Sequence, residues 1–346
     1  MSNPQITEEM VNEALSKEGD GGDVSDKTAV YFDQKVWGNF VEEDSNVDSD
    51  DFLELTKKSV EDGDFIYPIS IENLIETVSH PDREFTEEVY EIMAELSQNY
   101  TLRYLESVLD YEAINFICSR HPLLLSLDMK STVIGKGLAN IGGDWTIKPE
   151  ETVDEEMAEL FKRLVEDEDI NREILLSEGM IEDAPGVTPE EKEQYTEQYR
   201  AAMKENDAEI DFNDDTDRSL YITEVFERRI LTRLQHYCEQ LGFDYRRLII
   251  ETFNPYSFEQ SYGKFPTFYI ESNLSFSTES LDRREPEFND ILDITSLSVA
   301  APYCDVVVGE RFFTGMLHRY DVEEKYDTKI FGSVVDFHDW LKAELD

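Results

Sequence analysis

The chain has 346 residues, 40% of them apolar, enough to fill the core of one large domain or two ordinary ones. Its 79 acidic residues against 31 basic ones give a formal net charge of −48, which argues against recruiting nucleic acid or membranes through long-range attraction. High charge with low hydropathy is also the composition of disordered chains, but 20 Phe, 17 Tyr and several intact apolar runs exclude disorder for most of the length.

Residues 1–27 read as a flexible acidic tail, with a short helix predicted at Thr7–Leu15 and a Gly-rich stretch at Glu18–Asp23. Order begins at the buried-strand run Ala29-Val-Tyr-Phe-Asp33, followed by a helix over Gln34–Val41 and an acidic loop over Glu42–Asp51. Phe65-Ile-Tyr-Pro-Ile69 predicts a second strand, and Ser70 an N-cap for a helix reaching Thr77. Val89, Ile92, Met93 and Leu96 share one face of a helix over Thr86–Ser97. A short strand at Thr101–Leu105 and a helix over Asp110–Ser119 complete a first segment, residues 28–120. Residues 121–283 read as a helical insertion, with helical patterns at Glu156–Val165, Pro189–Glu205 and Leu220–Leu241. Within it, Phe253–Phe276 carries aromatics at alternating places (Phe265, Tyr269) and is expected to pack against the sheet. Residues 284–346 return to a core pattern: a helix over Asn289–Ala300, a strand at Cys304–Val308 and an amphipathic helix over Val334–Leu345. Strands separated by helices predict an α/β fold with a mainly parallel sheet.

Salt conditions follow from the charge. In dilute buffer such a chain repels itself; at molar salt the Debye length is about 3 Å and the repulsion is screened. The composition therefore predicts a salt-in, halophilic cytoplasm. Cys118, Cys238 and Cys304 are scattered and lack CxxC spacing, so neither a disulfide framework nor a zinc site is expected. The first residues lack a signal-peptide pattern, and no apolar run approaches the roughly 20 residues of a membrane helix. A cytoplasmic protein without membrane contact is expected.

No P-loop, GxSxG or HExxH motif is present, and Gly135-Lys-Gly137 lacks the third glycine of a phosphate cradle. Acids are abundant, so position is what distinguishes them: a few interrupt or end apolar elements, where a buried unpaired carboxylate is costly unless a cation compensates it. Asp33 ends the first strand, where parallel sheets line their ligand crevices, and it equally reads as the N-cap of the next helix. Glu76 lies one and a half turns into the helix after Ser70, either facing the crevice or exposed to solvent. Asp290 and Asp293 share one face of the first turn of their helix, where the helix dipole alone also favours acids. Asp305 and Glu310 flank the last strand, and alternation leaves open which of them faces the crevice. Oxygen-only ligands favour Mg²⁺ or Mn²⁺.

These segments resemble, in order and spacing, the PIN-domain-like nuclease family in its larger form. Ala29–Asp33 is similar to the family's first strand and first metal-binding Asp; Phe65–Ser70 with Glu76 resembles its second strand and following Glu. Asp293–Ala300 is similar to the family's Asp-led helix, Cys304–Glu310 to its last core strand and acid, and Asp290 and Asp305 to the extra acids of a subgroup. The resemblance covers residues 28–120 and 284–346. It implies a Rossmann-like α/β/α core, divalent metal held by Asp33, Glu76, Asp290, Asp293, Asp305 and Glu310, and hydrolysis of RNA phosphodiesters, with Asp33, Glu76, Asp293 and Glu310 catalytic. Lys35 stands where the family has Asn or Ser, and Gly309 where it has Thr. Lys35 and Arg311 are expected to contact substrate phosphate, whereas the Arg283-Arg284 pair reads as ordinary surface charge ahead of a short-range phosphate contact. The alternatives are an inactive PIN-like module that binds a protein partner, or an acidic scaffold whose insertion is the interaction surface.

Overall fold

The computed structural model describes residues 24–42, 47–120, 126–137, 140–141, 188–204, 215–253, 261–279 and 287–345. The expectations at Thr7–Leu15, Glu18–Asp23, Glu156–Val165, Arg283 and Arg284 lie outside them.

Strand β1 (Thr28–Phe32) passes through Asp33 into a short helix α1 (Gln34–Gly38), then α2 (Ser49–Glu61), β2 (Phe65–Ile66), α3 (Ile71–Val78), α4 (Arg83–Ser97), β3 (Tyr100–Leu102) and α5 (Leu105–Ser119). A short helix α6 (Met129–Val133) leads into β4 (Ile134–Lys136). The helical stretch follows: α7 (Pro189–Lys204), α8 (Asp215–Phe226), a π-helical turn at Glu227–Leu231, α9 (Thr232–Leu241), α10 (Tyr245–Thr252) and α11 (Pro266–Glu279). The chain then runs through α12 (Phe288–Tyr303), β5 (Val306–Val308), α13 (Arg311–Arg319), α14 (Val322–Tyr326), β6 (Lys329–Phe331) and α15 (Val334–Leu345).

The arrangement is mainly helical around a four-stranded parallel sheet of order β2-β1-β5-β6, with a separate antiparallel pair β3-β4. Val30, Tyr31 and Phe32 pair with Val306, Val307 and Val308, which pair in turn with Lys329–Phe331. Strand alternation sends Ala29, Tyr31, Val307 and Ile330 into one hydrophobic cluster, shared with α5, α8, α9, α11, α12 and α13. Val30, Phe32, Val306 and Val308 enter a second cluster with α1, α2, α4 and α15. The sheet is thus covered on both faces, which is why its strands read as unbroken apolar runs. Among the described residues no helix is long and apolar enough to cross a membrane.

Several elements differ from the sequence reading. Helix α2 replaces the end of the expected acidic loop: Asp48 caps it by accepting from the Asp50 and Asp51 amides, and Phe52 and Val60 are buried beneath an acidic outer face. Strand β2 stops at Ile66, since Pro68 has no amide to offer a ladder, and Ile69 makes a single bridge to Thr101. The 121–283 stretch is not wholly helical, because β4 pairs with β3; Gly135 and Lys136 lie in that pair and Gly137 leaves it with φ 81°. The aromatics around Phe265 and Tyr269 do pack against the sheet layer, from a helical segment, with Phe265 and Phe268 in the cluster that holds Tyr31.

The described helices of that stretch are bound to the sheet layer by the same cluster and by ions. Arg229 bridges Glu106 and Glu271, while Arg233 bridges Glu106 and, at 2.8 Å, Asp110. The connectivity also sets the position of a crevice. From the central β1 the chain goes first to β2 on one side and only later to β5 on the other, so the carboxyl ends of β1 and β5 form a topological switch point.

Phe32 is fully buried, with the rings of Tyr67 at 5.0 Å and of Trp37 and Phe337 at 5.3 Å. Phe32→Ala is expected to lose about 3–5 kcal/mol in denaturant unfolding at high KCl, by transfer and cavity terms. Ile250→Ala, at a position 80% exposed, is expected to change stability by less than about 0.5 kcal/mol. Equal losses at the two positions would contradict this packing.

Candidate functional site

Asp33 stands at the switch point and does both things its sequence position allowed. Its Oδ1 accepts from the Val36 amide at 3.2 Å, capping α1, and its Oδ2 accepts from the Glu310 amide at 2.7 Å. The side chain is buried, and burial pushes its pKa up to about 6, while the Glu310 and Val36 amides hold it down and the Glu310 charge raises it. Gly309 is what permits the contact: a Cβ there would sit 2.8 Å from Asp33 Oδ2. The glycine at this position therefore has a steric reason.

Helix α3 supplies the next acids. Ser70 and Asn73 form a reciprocal capping box, and the Asn73 side chain also donates to the Phe32 carbonyl at 3.3 Å, fastening the helix start to the end of β1. Glu72 and Glu76, four apart, lie on one helix face. Burial raises Glu72 to about 7, opposed by its own amide and the Ser70 hydroxyl. Burial raises Glu76 to about 8, reinforced by the charges of Asp33, Glu72 and Glu310 and opposed by Lys192.

Asp293 projects from α12 and is pushed up to about 9, first by burial and then by Asp33, Glu76, Glu310 and Asp290. Asp290 itself is buried in the first turn, where its Oδ2 accepts from the Glu287 amide at 2.8 Å as part of a capping box. Glu310, just after β5, is partly exposed, and its carboxylate accepts from Lys35 Nζ at 2.8 Å. That hydrogen bond raises the pKa of Lys35. Arg311 is exposed in the first turn of α13, next to Glu310.

Of the two acids that alternation left open, Glu310 joins the group and Asp305 does not. Asp305 lies at the other end of the sheet, where it accepts from the Ala29 amide and from Lys130 Nζ, each at 2.7 Å. Strand rise over the five intervening steps separates the two positions by roughly 16 Å, and the lysine already neutralises Asp305.

Sequence reasoning missed two members. Glu72 was signalled by its i−4 relation to Glu76. Lys192 carried no local signal; it reaches Glu76 because α7 packs on α12, where the Lys192 ammonium lies 5.4 Å from the Phe288 ring. The result is a set of carboxylates from α3, α12 and the ends of β1 and β5, all oxygen donors, whose charges act on one another. Among the described residues no three His, Cys, Asp or Glu side chains form a ready-made metal cage. No protein-family model matches the chain, and neither a curated protein nor a solved structure gives a significant match.

The raised values give a stability signature. Above about pH 4 the unfolded carboxylates lose protons that the folded group retains, so this group's contribution to stability falls as pH rises, until the last site, Asp293 at about 9, has ionised. Asp293→Asn removes one of these charges and is expected to gain stability relative to wild type between about pH 5 and pH 9, in EDTA and molar KCl. Parallel unfolding curves for the two proteins across that range would show that burial and the neighbouring acids do not raise Asp293.

Proposed function

We propose that this protein is a PIN-like, metal-dependent nuclease that hydrolyses RNA phosphodiester bonds in a high-salt cytoplasm. The observation that carries the reading is convergence: Asp33, Glu76, Asp293 and Glu310, chosen from sequence on separate elements, act on one another electrostatically at the switch point of a parallel sheet. Buried like charges without matching cations are a costly arrangement unless a proton or a metal relieves them. A donor set made only of carboxylate oxygens fits Mg²⁺ or Mn²⁺ and does not suit zinc. Asp33, Glu76, Asp293 and Glu310 would hold the ion, with Asp290 adding charge behind Asp293. When bound, such an ion would polarise a phosphoryl oxygen and acidify water.

The chain's own groups do the positioning. Two backbone amides fix both oxygens of Asp33, so its orientation is set before anything binds. Lys35, Lys192 and Arg311 place positive charge around the carboxylates, where they would meet substrate phosphate at contact range. At molar salt, long-range repulsion from the −48 chain is screened, and so is most counterion-release affinity, leaving these short contacts to bind RNA.

The Lys35–Glu310 ion pair favours a second reading, in which the ammonium stands in for a metal and the fold serves as a partner-binding module. Cleavage of RNA in high KCl with Mn²⁺ or Mg²⁺ separates the two. Asp33→Asn and Asp293→Asn are each expected to cut about a thousandfold more slowly, the equivalent of several kcal/mol of lost transition-state stabilisation. A wild-type protein that neither cuts RNA nor gains thermal stability on adding Mn²⁺ would return the second reading.

A further inference from the structure

In a chain with 79 acids and 31 bases, a concave surface lined, among the described residues, by three bases and no acid stands out. A cavity of about 580 Å³ lies among α8, α11 and α14, lined by Arg218, Lys264 and Lys325 together with Tyr262, Tyr269 and Tyr326. It is remote from the acid group. Tyr326 closes α14 three residues before β6 begins, at the amino end of the sheet, whereas the acids occupy the carboxyl ends.

The bases have no carboxylate partner among the described residues. Lys325 Nζ donates to the Tyr269 hydroxyl at 2.6 Å and to the Tyr320 carbonyl at 2.7 Å, and lies 4.5 Å above the Tyr269 ring. The Arg218 guanidinium lies 4.9 Å from the Tyr320 ring and donates to the Asn273 side chain, which leaves its buried Nε without a partner. The Tyr326 hydroxyl is likewise buried and unpartnered. Lys264 is exposed, near Arg120, and desolvation followed by that like charge holds its pKa below the usual lysine value. Thus, among the described residues, the groups left unsatisfied here are an arginine N–H and a phenol O–H, and the charge without an opposite partner is positive.

A ligand complementary to such a surface is an anion rich in acceptor oxygens, and a phosphate meets three cations better than a single carboxylate does. The partly exposed rings of Tyr269 and Tyr326 suit a planar heterocycle by aromatic contact. The volume lies within the range of small-molecule sites, about 300–1,000 Å³. We propose that this cavity binds a nucleoside phosphate, either as a free nucleotide or as the phosphorylated end of a single-stranded nucleic acid. This goes beyond the nuclease reading and does not depend on it.

The test is calorimetric titration of the full chain in molar KCl with EDTA, which removes divalent ions and prevents any cleavage. The probes are AMP, UMP, adenosine, inorganic phosphate and a 5′-phosphorylated single-stranded hexanucleotide. At least one mononucleotide is expected to bind, with adenosine and phosphate each at least about tenfold weaker, since each makes only half of the contacts. Lys264→Gln, at an exposed side chain, and the double variant Lys264→Gln/Lys325→Gln are expected to weaken binding in steps, to about tenfold or more in the double variant, with the unfolding temperature unchanged. Lys57→Gln, whose lysine pairs with Glu95 on the opposite helical layer, is the control expected to bind as wild type. Tighter binding of the hexanucleotide than of either mononucleotide assigns the site to a nucleic-acid end, and the reverse order assigns it to a free nucleotide. The proposal is overturned if neither mononucleotide nor hexanucleotide binds wild type, if the double variant binds as well as wild type, or if phosphate alone binds as tightly as the nucleotides.

Discussion

The hydrogen bond from the Glu310 amide to Asp33 joins positions 277 residues apart and fixes the geometry of the acid group. It closes the gap between the ends of β1 and β5, and it requires the absence of a side chain at Gly309. Asn73 adds a second tie, from the start of α3 to the last carbonyl of β1, which sets where Glu72 and Glu76 emerge.

The two ends of the sheet treat negative charge differently. At the amino end, Asp305 has a backbone donor and a lysine, and the charge is matched. At the carboxyl end, Asp33, Glu72, Glu76 and Asp293 are all pushed upward by burial, and the nearby bases, Lys35 and Lys192, engage only its rim. In an acidic chain, excess carboxylates normally belong on solvated faces. Burying several of them together, without enough cations, is costly unless protons are retained, which is the direction in which all four are pushed.

The helical layer takes part in both halves of the molecule. Its aromatic residues fill the cluster beneath Tyr31, its arginines answer the acids of α5 and α11, and α7 brings Lys192 to the acid group. The same layer holds Arg218 and Lys264, which with Lys325 of α14 have no carboxylate partner among the described residues.

The apolar run at Ala29–Phe32, the Ser70 cap and the amphipathic α4 and α15 were readable from sequence because each is a local pattern of period two or 3.6. Asp33 and Glu310 were readable as acids at the ends of strands. Other elements were hidden: α2 under its own acidic face, and β6 in a run of three residues too short to show a period. The sequence could not choose between Asp305 and Glu310, because a strand has two ends and only its pairing with β1 and β6 shows which end meets the other acids. Nor could it find Lys192, whose approach to Glu76 depends on one helix packing across another. Local periodicity and capping are written in neighbouring residues, and they determined the elements by themselves. Which charges face one another depends on contacts between residues far apart in the chain, and only the tertiary structure decided that.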